Sequence, residues 1–203
     1  MPDPSDSDRN EPDASDGLPP ATLAVLGPGA VGGLLTALLA RRGDSVVCLA
    51  GQRSAAQLAV HGLSIRSATL GDFSTSIRVA PALAPGAEAC FVTVKATQLR
   101  PALDRVPAAA LGGALLVPFL NGIEHVGVLR ERYPDAEVVP ATIRVEALRP
   151  GPGEIEHASP FAAVELAVRP DTRERVASLA ARLAHAGLDV SVRDDETAML
   201  WDK

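Results

Sequence analysis

The sequence predicts an α/β fold built on a doubly wound, mostly parallel sheet. Three observations predict it: short apolar runs with no wet face, helical stretches that alternate with them, and a glycine-rich turn between the first run and the first helix. With 203 residues, the chain is long enough for a core that stands without disulfides or structural metals. Hydrophobic residues at 47% and charged residues at 22% exclude a largely disordered or collagen-like chain.

Charge is unevenly spread. Residues 1–20 hold Asp3, Asp6, Asp8, Glu11, Asp13 and Asp16 against Arg9 alone, so five of the six net negative charges belong to this Pro-, Ser- and Asp-rich leader. It reads as a disordered acidic tail outside the fold. The rest of the chain is left at −1, without the basic field that nucleic acid phosphates require, so small anions in a local pocket are the candidate ligands. No run of roughly 18 apolar residues exists to span a bilayer, and the leader lacks the basic region of a secretory signal, so no membrane partner and a cytoplasmic location are expected. Cys48 and Cys90 lie inside apolar runs and read as buried, reduced thiols. His61, His125, His157 and His185 show no ligand spacing, and no metal site is expected.

The elements follow in order. Thr22-Leu23-Ala24-Val25-Leu26 is a strand, Gly27-Pro28-Gly29 a tight turn, and 30–42 a helix closed by Gly43. Ser45-Val46-Val47-Cys48-Leu49-Ala50 is a second strand, apolar on both faces as a covered parallel strand must be. Segments 89–94 and 114–118 repeat that texture, with helices expected around 97–105 and 123–132. Residues 63–66 and 76–79 alternate apolar with polar and read as a half-exposed hairpin or ladder; 137–147 and 161–168 look similar and flank the loop Pro150-Gly151-Pro152-Gly153. Val176, Leu179, Ala180 and Leu183 mark one face of a helix that stops at Gly187, and 188–192 is a last strand. The predicted domain therefore spans 21–193.

The turn Gly27-Pro28-Gly29-Ala30-Val31-Gly32 fits G-x-G-x-x-G in the context that gives the pattern meaning: a strand before it, a helix after it, inside a βαβ unit. The first glycine permits the turn, the second lets backbone approach a pyrophosphate, the third lets helix and strand pack closely, and the helix N-terminus supplies amide donors. The alternative is a ligand-free glycine turn. An acid normally follows at the end of the second strand to hold the adenosine ribose. Here that place reads Ala50-Gly51-Gln52-Arg53-Ser54. Arg53, with Ser54 beside it, could instead pair with a 2′-phosphate, which favours NADP over NAD; otherwise Arg53 caps a surface helix.

Of 19 basic residues only Lys95 and Lys203 are lysine. In so arginine-rich a chain, a surviving lysine marks a place where a compact ammonium able to give up its proton is wanted. Lys95 ends the strand Val92-Thr93-Val94, and Asn121-Gly122 follows the next strand at the same edge, where open α/β sheets bind ligands. A snorkelling lysine and an Asn-Gly turn are the plain alternatives.

The turn at 27–33, Val94-Lys95-Ala96-Thr97-Gln98, Leu120-Asn121-Gly122-Ile123 and the terminal Leu200-Trp201-Asp202-Lys203, four motifs in order, together resemble the ketopantoate reductase family, the 2-dehydropantoate 2-reductases of the pantothenate pathway. The resemblance implies a Rossmann-like domain, NADPH as cofactor and a small 2-keto acid as substrate, with Lys95 and Asn121 contacting both. It also implies Lys203 as general acid. Three features depart from the family pattern. Pro28 stands between the first two glycines; Gly51 replaces a usual basic residue; and the chain ends at Lys203, where the resemblance implies a helical second domain of roughly a hundred or more residues. Residues 194–203 would begin that domain, leaving it largely absent. Two rival readings stay open, a reductase of another 2-keto acid and a non-catalytic dinucleotide-binding module. The oligomeric state is not fixed by the sequence, with a homodimer left open.

Overall fold

The computed structural model describes Pro19 and residues 22–201. The expectations for the rest of the acidic leader and for Lys203 fall outside the described residues.

The chain begins β1 (Thr22–Leu26), α1 (Ala30–Arg41), β2 (Val46–Leu49), α2 (Gln52–His61), β3 (Leu63–Ser67), β4 (Phe73–Thr75), β5 (Arg78–Ala80) and β6 (Ala87–Val92). A broken helical segment follows, in which α3 (Leu99–Ala102) lies between 3₁₀ turns at Ala96–Gln98 and Leu103–Arg105. Then come α4 (Ala108–Leu111), β7 (Leu115–Pro118), α5 (Glu124–Arg132), β8 (Glu137–Val138), β9 (Ala141–Arg144), β10 (Ala147–Leu148) and β11 (Glu154–His157). The last elements are β12 (Ala163–Ala167), α6 (Arg173–His185), β13 (Asp189–Arg193) and α7 (Glu196–Trp201).

Six strands form the main sheet in the order β5-β2-β1-β6-β7-β8, every neighbour parallel. Parallel strands joined by crossovers are covered on both faces, which is why β1, β2 and β7 are buried along their whole length. Alternate residues feed two cores. Leu23, Val25, Cys48 and Phe91 join α1 and α6 on one face, whereas Ala24, Leu26, Cys90 and Val92 meet Leu103, Val126 and Leu129 on the other. Helix α6 buries Val176, Leu179, Ala180 and Leu183, the face that the spacing predicts.

Two smaller sheets lean on this frame. The order β10-β11-β3-β4 packs over α1, and β13-β12-β9 extends the first core. Here the structure departs from the sequence reading. Residues 76–79 do not pair with 63–66; their strand, β5, joins the main sheet beside β2, and the antiparallel partner of β3 is β4. Gly71 at φ +80° and Asp72, whose carboxylate accepts the Ser67 amide at 2.9 Å, close that hairpin earlier than the alternation suggests. Segment 137–147 is likewise divided: β8 lies parallel to β7 while β9 runs antiparallel to β12. Strand β11, beside the Gly/Pro loop, pairs with β3 across some ninety residues of sequence, a contact no local pattern announces.

Candidate active site

The carboxyl ends of β1 and β6 meet at the point where strand order reverses, because β2 lies on one side of β1 and β6 on the other. Such a switch point opens a crevice for ligands. The turn from β1 into α1 lies there. Gly27 holds φ +102°, and a Cβ on it would stand 2.6 Å from Cγ1 of Val94. At Gly32 a Cβ would run into the Gly27 carbonyl and the Thr93 hydroxyl. That hydroxyl donates to the carbonyls of Leu26 and Gly27, both at 2.9 Å, and so ties the end of β6 to the turn. Gly29 differs from both: a Cβ there would meet no protein atom within 4 Å. Its bareness is explained by no neighbour and leaves the backbone open to a ligand. Helix α1 has no side-chain cap and no acid in its first turn, so its leading amides are available to an anion.

This turn forms one wall of a groove of about 860 Å³ lined by residues 26–31, 49–51, Ser54, 93–95, Gln98, Pro101, Ala102, Arg105 and 147–149. Three cations, Lys95, Arg105 and Arg149, line it and no carboxylate does. Arg149 donates to the Pro28 carbonyl at 3.0 Å, bridging from β10 to the glycine turn. Gly27, Pro28, Gly29, Ala30, Val31 and Lys95 thus come together in one wall, with Gly32 directly behind. Arg53 sits exposed in the first turn of α2 and is outside the lining, whereas Ser54 is within it. Asn121 stands exposed past the end of β7, at the same sheet edge but also outside the lining. Trp201 and Leu200 share a second groove with Ile123, just beyond Asn121-Gly122, and Arg130 fastens α5 to α7 through a two-pronged pair with Glu196 at 3.0 and 2.8 Å.

Arg105, Arg149 and Thr93 are polar lining residues that sequence reading misses. Thr93 was legible in principle as a hydroxyl-bearing residue one step before Val94-Lys95. Arg105 and Arg149 were not, because each reaches the groove from a segment whose placement depends on long-range pairing.

An all-parallel α/β sheet with a glycine-rich turn and a cationic crevice at its switch point defines a dinucleotide-binding class of domain. The sequence profile of the ketopantoate reductase PanE/ApbA family matches residues 23–170, and the chain belongs to that family. A 2-dehydropantoate 2-reductase of Halobacterium salinarum is 29% identical over 189 residues, which cover 89% of this chain and 60% of the relative. The crystal structure of the 2-dehydropantoate 2-reductase from Methylococcus capsulatus superposes with a TM-score of 0.76 at 27% identity, covering 89% of this chain and 59% of that one. A D-mandelate dehydrogenase, solved with NADH and anilino(oxo)acetate, shares the fold at a TM-score of 0.77 and 19% identity, over 89% of this chain and 59% of its own. The chain therefore spans about 60% of the length of these relatives. Among the described residues, no helix is long and apolar enough to cross a membrane.

Proposed function

We propose that the chain is the cofactor-binding part of an NADPH-dependent reductase of a small 2-keto acid, with 2-dehydropantoate the first substrate to test. The observation that carries this reading is the groove itself, in which a bare glycine turn and Lys95 share one wall with no carboxylate nearby. When bound, the cofactor supplies a hydride to the substrate's carbonyl carbon. The chain's own residues do the rest. Amides at the start of α1 hold the pyrophosphate beside Gly29, whose missing side chain leaves room for it. Lys95 and Asn121, at the ends of neighbouring strands, orient the keto acid, Lys95 through its charge on the carboxylate and Asn121 through its amide. Lys203 gives a proton to the carbonyl oxygen as it becomes an alkoxide. Trp201 and Ile123 line the same groove, which supports this role by putting the last described residue of the chain beside the Asn121 loop. Two buried, unpaired thiols suit a reducing compartment such as the cytosol.

The 203-residue chain is expected to bind NADPH in a calorimetric titration. A chain extended to the length of its relatives is expected to oxidise NADPH when given a keto acid. In that longer chain Lys203→Ala should lower kcat by about 10²–10⁴-fold and leave cofactor affinity unchanged; full activity would remove the general-acid role. A panel of keto acids identifies the substrate, and cofactor binding without turnover on any of them would leave a non-catalytic module.

A further inference from the structure

We infer that Arg105, and not Arg53, is the residue that holds the 2′-phosphate of the cofactor's adenosine ribose and so sets the preference for NADPH. The inference rests on the cofactor class proposed above and names the group that selects within it.

In a doubly wound sheet the adenosine ribose lies at the end of the second strand, where an acid would receive the 2′-hydroxyl. That end is Ala50-Gly51-Gln52 here, and no Asp or Glu lines the groove. A guanidinium occupies the place. Arg105 ends the 3₁₀ turn after α3, and its side chain crosses to β2 so that a Cβ on Gly51 would stand 3.1 Å from Nη2. A side chain at 51 would share this space with the flexible end of the arginine.

The arginine is held from behind. Its main-chain carbonyl accepts the Leu83 amide at 2.8 Å, and Nη1 donates to the Pro81 carbonyl at 3.0 Å. Those contacts fix the stem and leave the Nη2 side of the fork to the groove. Among the described residues no carboxylate pairs with it. A planar cation positioned in advance, with donors unused, matches a phosphate monoester, and fixing it beforehand reduces the entropy lost on binding. Helix α2 starts at the same spot, with Gly51 at its N-cap giving no side-chain cap and with no acid in its first turn, so its amides and the Ser54 hydroxyl favour the same anion.

Titration of the purified chain with NADPH and NADH, and with 2′,5′-ADP and 5′-AMP as probes of the adenosine end alone, tests the assignment. Arg105→Ala should weaken NADPH and 2′,5′-ADP by about ten- to a hundredfold and leave NADH and 5′-AMP within about twofold. Arg105→Lys, which keeps the charge but not the fork, should recover part of the loss, and circular dichroism should show both variants folded. Arg53→Ala should leave the NADPH to NADH ratio unchanged. Collapse of that ratio in Arg53→Ala, or an equal loss of both cofactors in Arg105→Ala, would overturn the inference. Wild-type protein that binds NADH as tightly as NADPH would overturn it while leaving the dinucleotide site standing. Binding of neither cofactor would remove the proposed function along with it.

Discussion

The two edges of the main sheet treat their cations in opposite ways. At the amino edge Arg182 of α6 is closed by two carboxylates, Asp44 at 2.8 Å and Glu88 at 2.5 Å, all three side chains less than a third exposed. At the carboxyl edge Lys95 has no ion pair among the described residues, and Arg105 and Arg149 are held only by the main-chain carbonyls of Pro81 and Pro28. A guanidinium on a neutral carbonyl keeps its unit charge, whereas one between two acids has spent it within the fold. The same chemistry therefore serves stability below and ligand capture above. The body's net charge of −1 conceals a groove lined by three positive charges.

The contrast also runs through the glycines, and this is where the largest effect is expected. Gly32→Val would drive a side chain into the Gly27 carbonyl and the Thr93 hydroxyl that braces the turn. Overpacking at such a site costs about 1–3 kcal/mol or more. The variant should show a lowered Tm and no cofactor binding. Gly29→Ala meets nothing within 4 Å, so its stability should stay within about 1 kcal/mol, the usual scale of an N-cap change. Its NADPH affinity should fall steeply all the same, because the added methyl occupies the approach left for phosphate. A Gly29→Ala variant that binds normally would show that the bare backbone is not a ligand wall.

A second pair of variants separates the edges. Arg182→Ala leaves Asp44 and Glu88 without their shared partner and should cost about 1.5–3 kcal/mol of stability in chemical denaturation. Its cofactor affinity should be unchanged. Lys95→Ala should do the reverse, keeping the midpoint of unfolding and weakening ligand binding or turnover. Any variant that moved both quantities together would blur the division between edges.

How much of this was legible in the sequence follows from how local each signal is. The turn at 27–32 carries its meaning in six consecutive residues, and β1, α1 and β2 around it needed only apolar runs and a glycine stop. The face of α6 is equally local, four apolar residues at helical spacing. What escaped depends on pairing at a distance. The partner of β3 was misread because alternation marks a half-buried strand without saying what it pairs with, and β11 was hidden because its partner lies some ninety residues away. The same limit governs the site. Lys95 was found from its place at a strand end, while Arg105 comes to the end of β2 only because the segment after β6 folds back across it. Gly51 was visible in the sequence as a missing cation, but nothing local says which residue fills the gap.

Between the two edges the strand interiors should be indifferent to both kinds of substitution, and the cysteines report on them. Cys48 lies opposite Val25 and Cys90 opposite Ala24, so β1 separates them and they feed opposite cores. Two strand spacings put their backbones ~10 Å apart, beyond disulfide reach, and a linked peptide in a non-reducing digest would contradict the strand order. Burial pushes both thiols up to about 12 from 9.0, with a hydrogen bond involving Thr36 slightly opposing it at Cys48. The native thiols therefore stay protonated at pH 9 while those of the unfolded chain begin to ionise. Because the folded pKa is the higher one, their contribution is complete below about pH 9 and is lost as pH rises toward 12. At pH 9 the loss is only about 0.4 kcal/mol per thiol, the smallest effect expected here. Tyr133, also raised by burial, starts from 10.0 and adds its share at higher pH. Denaturation curves at pH 7 and 9 should show this small drop in the wild type and about half of it in Cys90→Ala. Gly29→Ala should match the wild type, since a change at the ligand wall leaves the interior as it was.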